Sequence, residues 1–204
     1  MKRIIFATGN EGKMKEVRMI LEDLGCEVKS LKEIGLDVNI VEDGSTFEEN
    51  AVIKAKTIME MTHEVVLADD SGLEVDYMDR APGIYSARFL GEDTSYSVKN
   101  QYIIDKLADA SEEERSARFV CAIACALPNG EIITTRGTIE GQIGYEERGA
   151  NGFGYDPIFY LTEYGCSTAE LAPEQKNEIS HRGKALKAMK DILKERESEI
   201  WEQK

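Results

Sequence analysis

The sequence predicts an α/β fold with a mixed β-sheet flanked by helices, and three features carry that prediction. Strand and helix patterns alternate through the first half of the chain. Several β runs then follow one another with no helix between them, which favours a mixed sheet over a purely parallel one. No repeat, low-complexity segment or Pro/Gly/Ser linker divides the 204 residues, so residues 1–204 read as one large domain or a two-lobed one.

The elements follow in order. Lys2 to Ala7 reads as a strand and Thr8 to Glu11 as a loop. A helix then runs to about Leu24, with Met14, Val17, Leu21 and Leu24 on one face and Gly25 placed to end it. A second strand lies around Glu27 to Leu31. In "GSTFEENAVIKAKTIMEMTH", Ser45 or Thr46 stands three residues before Glu48 or Glu49, a capping-box pattern. Phe47, Ala51, Ala55, Ile58, Met59 and Thr62 form that helix's core stripe, while Asn50 and Lys54, four apart, share another face.

Val65 to Ala68 is an apolar run of the kind that forms a buried strand, and it ends in Asp69-Asp70-Ser71-Gly72. Asp, Ser and Gly are ordinary turn residues, so a strand-end turn is the plainer reading. Two anions at the end of a buried strand nevertheless need something positive to meet them. A short strand over Leu73 to Asp76 and a helix near Tyr96 to Leu107 come next. Two or three β runs turn at Pro128-Asn129-Gly130, and the glycine-punctuated "RGANGFGYDPIF" leads into another short strand. A helical turn near Thr168 to Leu171 and a long helix from Ser180 onward complete the chain.

Composition narrows the function. Hydrophobic content of 42% and charged content of 31% are ordinary for a globular protein. No apolar stretch approaches the ~18 residues of a membrane span, and "MKRIIFATGN" lacks a signal peptide's apolar core, so a cytoplasmic protein with no membrane partner is expected. A net charge of −14 with no basic block makes a poor nucleic-acid binder. A few converging cations would still suffice for a small polyanion. Cys121 and Cys125 lie in a strand-like run, where four residues span roughly 13 Å, too far for one zinc ion. Buried free thiols are the better reading. With only His63 and His181, any metal is held by oxygen, which points to magnesium, manganese or calcium.

Four stretches offer chemistry. "ATGNEGK" places Gly9, Gly12 and Lys13 where a helix begins, a setting that suits phosphate, although it is neither a Walker A loop nor a dinucleotide fingerprint. Glu42, Asp69 and Asp70 supply carboxylates of the kind hard divalent cations take, together with phosphates and water. "GFGYDP" could present Phe153 and Tyr155 as an aromatic face and Asp156 as a hydrogen-bonding edge; a core aromatic in a turn is the ordinary alternative. "KNEISHRGKAL" gathers Lys176, His181, Arg182 and Lys184 at a helix start, where the macrodipole disfavours cations unless an anionic or carbonyl partner meets them.

In this order, "TGNEGK", "TFEENAVIKA", "ADDSGLEVD", "APGIYSARF", "NGFGYDPIF" and "ISHRGKAL" resemble the inosine/xanthosine triphosphate pyrophosphatases, the Ham1-like family, from about Ile4 to Met189. Ala150-Asn151 before Gly152 departs from the Thr-Gly of many relatives. The resemblance implies an elongated mixed sheet in two lobes with the active site in the cleft between them, a magnesium cofactor, a homodimer, and hydrolysis of ITP, dITP and XTP to monophosphate and pyrophosphate. It implies that Thr8, Gly9, Asn10, Glu11, Gly12 and Lys13 hold the triphosphate. Glu42 and Asp70 would bind magnesium, with Asp70 also the proton acceptor and Ser71 touching substrate. Phe153, Gly154, Tyr155 and Asp156 would line the base pocket, and Lys176, His181 and Arg182 would complete the site. Asn50, Lys54 and Asp69 would support it. Donors facing the 6-oxo group of hypoxanthine or xanthine would be left unpaired against adenine, a difference that can reach roughly 10⁴-fold. Two other readings are a Maf-like pyrophosphatase acting on modified pyrimidine or methylated nucleotides, and an idle nucleotide sensor. The glycine-aromatic and His-Arg motifs weigh against the first, and the intact Lys13, Glu42 and Asp70 against the second.

Overall fold

The computed structural model describes residues 2–201. Its elements are β1 (Arg3–Phe6), α1 (Glu11–Leu21), β2 (Glu27–Ser30), α2 (Phe47–Thr62), β3 (Val65–Val75), α3 (Tyr96–Lys106), β4 (Ser116–Ala126), β5 (Ile132–Ile143), β6 (Phe159–Leu161), β7 (Cys166–Ser167), α4 (Pro173–Ile179), α5 (His181–Glu195) and α6 (Glu197–Trp201). The strands form one mixed sheet in the order β2-β1-β3-β4-β5-β6-β7. The chain divides into two compact units. The first takes residues up to Asp70, Cys121–Gly137 and everything from Arg182; the second takes Ser71–Val120 and Thr138–His181.

In the first unit β1 pairs in parallel with both β2 and β3, Ile4 opposite Val28 on one side and Val65 on the other. Its core gathers Ile4, Phe6, Val17, Leu67, Ile123 and Met189, so the apolar stripes of α1 and α5 meet the strands there. Asn10 caps α1 by accepting a hydrogen bond from the Lys13 N–H, and Gly25 ends the segment at φ 63°. Thr46 caps α2 by accepting from the Glu49 N–H; the Glu49 carboxylate reaches back to Ser45 rather than to Thr46. The capping-box residues are thus engaged one position out of register.

The turn at Asp69-Asp70-Ser71-Gly72 does not form, which corrects the plainer expectation. β3 runs unbroken from Val65 to Val75. Local turn preference loses because the strand is interior to the sheet and the two carboxylates meet partners on either side of it. The second unit has its own core, built on Leu73, Ile103, Phe119, Ile158, Phe159 and Leu161. There β5, β6 and β7 pair antiparallel. The two-residue β7 and the seven-residue α4 were not anticipated; Ser180, expected to open the last long helix, separates α4 from α5. All four cysteines are free thiols, Cys121 and Cys125 fully buried. Among the described residues no helix is long and apolar enough to cross a membrane.

Arg115 is the second unit's buried fastener. Its guanidinium donates to the carbonyls of Leu107 (2.7 Å), Ile143 (2.8 Å) and Gly144 (2.8 Å), joining the end of α3 to the end of β5, with Tyr145 over its face at 4.1 Å. Removing it would strand three acceptors. Arg115→Ala should lower the unfolding free energy by about 3 kcal/mol in urea titration. Arg148→Ala, which removes only an exposed pair with Glu146, should change it by less than about 0.5 kcal/mol. Equal effects of the two would refute the fastener role.

Candidate active site

Adjacent residues on a strand face opposite sides of the sheet, so β3 presents Asp69 and Asp70 to different surroundings. Asp69, 1% exposed, accepts from Lys13 Nζ at 2.9 Å and 3.0 Å, and from Arg182 Nη2 and Nε at 3.3 Å and 3.4 Å. Burial alone would raise its pKa, but Lys13, Arg182 and Lys54 together hold the carboxyl far below its ordinary range. Asp70 receives a neutral amide, Asn50 Nδ2 at 3.1 Å, and an ammonium only at 3.6 Å, from Lys54. Burial, reinforced by Glu42 and Asp69, lifts Asp70 to about 6 against the pull of Lys54 and Asn50. The two neighbouring aspartates are thus pushed in opposite directions by their surroundings.

Lys54 also donates to Glu42 Oε2 at 2.7 Å, so one ammonium is shared by Glu42 and Asp70. Burial would lower its pKa, yet Asp69, Asp70 and Glu42 raise it overall and keep it charged. Asn50 braces this corner, accepting from the Gly44 N–H at 2.9 Å while donating to Asp70. A Cβ at Gly44 would lie 2.7 Å from Asn50 Oδ1, so a glycine is needed for that approach. The Lys54 ammonium marks a place where both carboxylates address one positive charge. Among the described residues no three His, Cys, Asp or Glu side chains form a cage. This donor set fits a hard divalent cation that keeps waters and takes further oxygens from a substrate phosphate.

In the loop before α1, Thr8 Oγ1 accepts from the Asn10 N–H (3.1 Å) and Asn10 Oδ1 from the Lys13 N–H (3.1 Å). The loop is therefore set by its own short side chains, and space around Gly9 is open to 4 Å. The following N–H groups, of Glu11 and Gly12, belong to a helix start, where they suit an anion.

In the second unit Gly152 and Gly154 adopt left-handed φ of 77° and 69°. Asp156 braces their loop from within: Oδ2 accepts from the Phe153 N–H (2.8 Å) and Lys176 Nζ (2.7 Å), and Oδ1 from Thr168 Oγ1 (2.9 Å). A Cβ on Gly152 would come within 2.3 Å of that carboxylate. Lys176 Nζ also lies 4.9 Å from the half-buried Phe153 ring. Tyr155 is buried, its hydroxyl donating to the Ser86 carbonyl (2.7 Å) and its ring edge-on to Tyr96. Asn100 donates to the Gly154 carbonyl at 3.3 Å, and the His181 ring stacks on Phe119 at 4.8 Å. Asn151, the departure from Thr-Gly, ties its amide to the Leu171 carbonyl at 3.0 Å and so fixes the loop's entry.

The structure thus gathers Lys13, Asp69 and Arg182 in one cluster, and Glu42, Asn50, Lys54 and Asp70 in a second. Phe153, Asp156 and Lys176 form a third. Arg182 meets its anionic partner within the protein, in Asp69 and in Glu16 Oε2 at 2.5 Å. Glu16, Thr168 and Asn100 were missed by sequence reasoning. Glu16 alone carried a signal, since it lies one helical turn after Lys13.

Residues 4–192 match the model of the Ham1 family. The chain is 50% identical over 191 residues to the dITP/XTP pyrophosphatase of Exiguobacterium sibiricum, covering 94% of this chain and 96% of that one. It is 46% identical to the dITP/XTP pyrophosphatase of Bacillus subtilis, covering 95% and 98%. Among solved structures it resembles a HAM1 protein from Coxiella burnetii with a TM-score of 0.86 at 40% identity, covering 96% of this chain and 100% of that one.

The Asp70 environment makes a pH-dependent claim about the metal-free protein. Its folded pKa, about 6, exceeds the unfolded value, so the group favours folding below the unfolded value and loses that contribution as pH rises through about 6. Asp70→Asn cannot ionise. In chelator-treated protein it should exceed the parent's stability by about 3 kcal/mol at pH 8, with most of that gain gone near pH 4. Chemical denaturation across that range measures it, and a pH-independent difference would contradict the assignment.

Proposed function

The chain belongs to the Ham1 family, and on that premise we propose that it hydrolyses the deaminated purine nucleoside triphosphates dITP, ITP and XTP to monophosphate and pyrophosphate. The observation that carries the reading furthest is the pair Glu42 and Asp70 addressing one cation position while Asp69 is tied up by Lys13 and Arg182. Magnesium is the cofactor this donor set suits; when bound it offsets phosphate charge and polarises a phosphoryl oxygen.

The chain's own residues divide the remaining work. Thr8, Gly9, Asn10, Glu11 and Gly12 offer the triphosphate a helix start, with the Lys13 ammonium beside it. Asp70 orients the attacking water and accepts its proton, held in place by the Asn50 amide. Asp69 is unsuited to that task, because two cations already hold it as an anion. Attack at the α-phosphorus expels pyrophosphate. Phe153, Gly154, Tyr155 and Asp156 form the base-recognition loop, Phe153 by ring contact and Tyr155 and Asp156 by fixing its shape. Ser71, Lys176, His181 and Arg182 complete the substrate set, and Asn50 and Lys54 hold Asp70 and Glu42. The family resemblance supports a cytoplasmic homodimer that clears damaged purines from the nucleotide pool.

Product analysis with magnesium tests this. Pyrophosphate should be released from dITP, ITP and XTP at least about 10²-fold faster than from ATP or GTP at subsaturating concentration. Asp70→Asn should lower kcat by about 10³-fold or more. Orthophosphate as the product, or a preference for pyrimidines, would overturn the assignment.

A further inference from the structure

Four side chains of the first unit form a closed ring of alternating charge. Lys13 meets Asp69 at 2.9 Å, Asp69 meets Arg182 at 3.3 Å, and Arg182 meets Glu16 at 2.5 Å. Lys13 and Glu16 are one turn apart on α1, so the helix itself closes the circuit. α1, β3 and α5 each contribute.

The ring is uneven, and the unevenness is informative. Arg182 reaches a single oxygen of Asp69, Oδ2, at 3.3 Å and 3.4 Å through Nη2 and Nε, and turns Nη1 to Glu16. Lys13, by contrast, holds both oxygens of Asp69, at 3.0 Å and 2.9 Å. A guanidinium beside a carboxylate tends to close into a bidentate fork, taking both of its oxygens. Glu16 competes for that guanidinium from the far side. Without it Arg182 would settle fully onto Asp69 and displace Lys13. Exposure follows the same logic: the side chains of Asp69, Arg182 and Glu16 are 1%, 3% and 13% exposed, while Lys13 is 20% exposed at the helix start. The buried members hold, and the outermost member is the one presented.

We propose that Glu16 is a positioning residue for triphosphate binding: by drawing Arg182 off Asp69 it leaves Asp69 to fix the Lys13 ammonium at the start of α1. The proposal rests on reading Thr8 to Lys13 as the triphosphate cradle. It makes Glu16 act on affinity for the polyphosphate and not on choice of base.

The test uses the full chain with magnesium and inorganic tripolyphosphate, which has no base. Calorimetry of Glu16→Ala should show tripolyphosphate affinity reduced about 10-fold. KM for dITP should rise by the same factor with kcat within about 2-fold, the pattern of lost uniform binding. The dITP-to-dATP ratio of kcat/KM should stay unchanged. Glu16→Gln keeps an acceptor for Arg182 Nη1 and should recover most of the affinity; it also serves if the alanine variant fails to fold. Tripolyphosphate affinity within 2-fold of the parent in both folded variants would overturn the proposal. So would collapse of the dITP-to-dATP ratio at unchanged tripolyphosphate affinity, since Arg182 would then be reading the base. A parent that binds no tripolyphosphate refutes the cradle and the proposal together. A parent that binds it without hydrolysing dITP refutes the proposed activity and leaves the ring measurable.

Discussion

The burial of Asp69 is the constraint on which the first unit depends. A carboxylate inside a sheet is tolerated only where cations are brought to it, and an uncompensated one costs several kcal/mol. Lys13 and Arg182 meet it from the first turns of two different helices. One strand residue therefore fixes where α1 begins and where α5 begins. The loop before α1 follows from that anchoring, and its own short side chains then hold its shape. Asp70, one residue on and facing the other way, receives weaker compensation and is lifted above the ordinary carboxylate range. The alternation of a β-strand is enough to separate the two roles.

That separation leaves a cost in the folded protein. Asp70, Glu42 and Asp69 crowd negative charge around one lysine, and burial makes the ionised form of Asp70 expensive. Stability is lower there than a neutral side chain would allow, and the deficit sits where a dication would relieve it. Such local destabilisation is common where function sets the residue rather than packing.

Much of the fold was legible in the sequence because its signals were periodic. The stripe Met14, Val17 and Leu21 and the stripe Phe47, Ala51, Ala55 and Ile58 both face cores as read. What was not legible depended on partners distant in sequence. Asp69-Asp70-Ser71-Gly72 has the composition of a turn, and only Lys13, Asn50, Lys54 and Arg182 make it a strand. β7 and α4 are too short for any period to register. In the site, the residue types were visible but their division of labour was not. Tyr155 and Asp156 look alike on paper as pocket lining, yet one anchors to Ser86 and the other closes its own loop onto Lys176 and Thr168. Glu16 shows the limit from the other side: its helical spacing from Lys13 was plain, and its meaning required Arg182, far along the chain.

The partition of side chains between the two units has a consequence for how such an enzyme changes. Every residue assigned to the triphosphate and the cation, from Thr8 to Asp70, lies in the first unit, and the glycine-aromatic loop with its braces lies wholly in the second. The chain passes from one to the other at Asp70-Ser71, Val120-Cys121, Gly137-Thr138 and His181-Arg182. On the proposed reading, the residues of chemistry and those of base recognition are carried on separate units. A lineage can redraw the loop around Phe153 while the ion pairs around Asp69 stay untouched. Drift around β3 has no such latitude, since Lys13, Glu16, Glu42, Lys54, Asp69, Asp70 and Arg182 each answer to another.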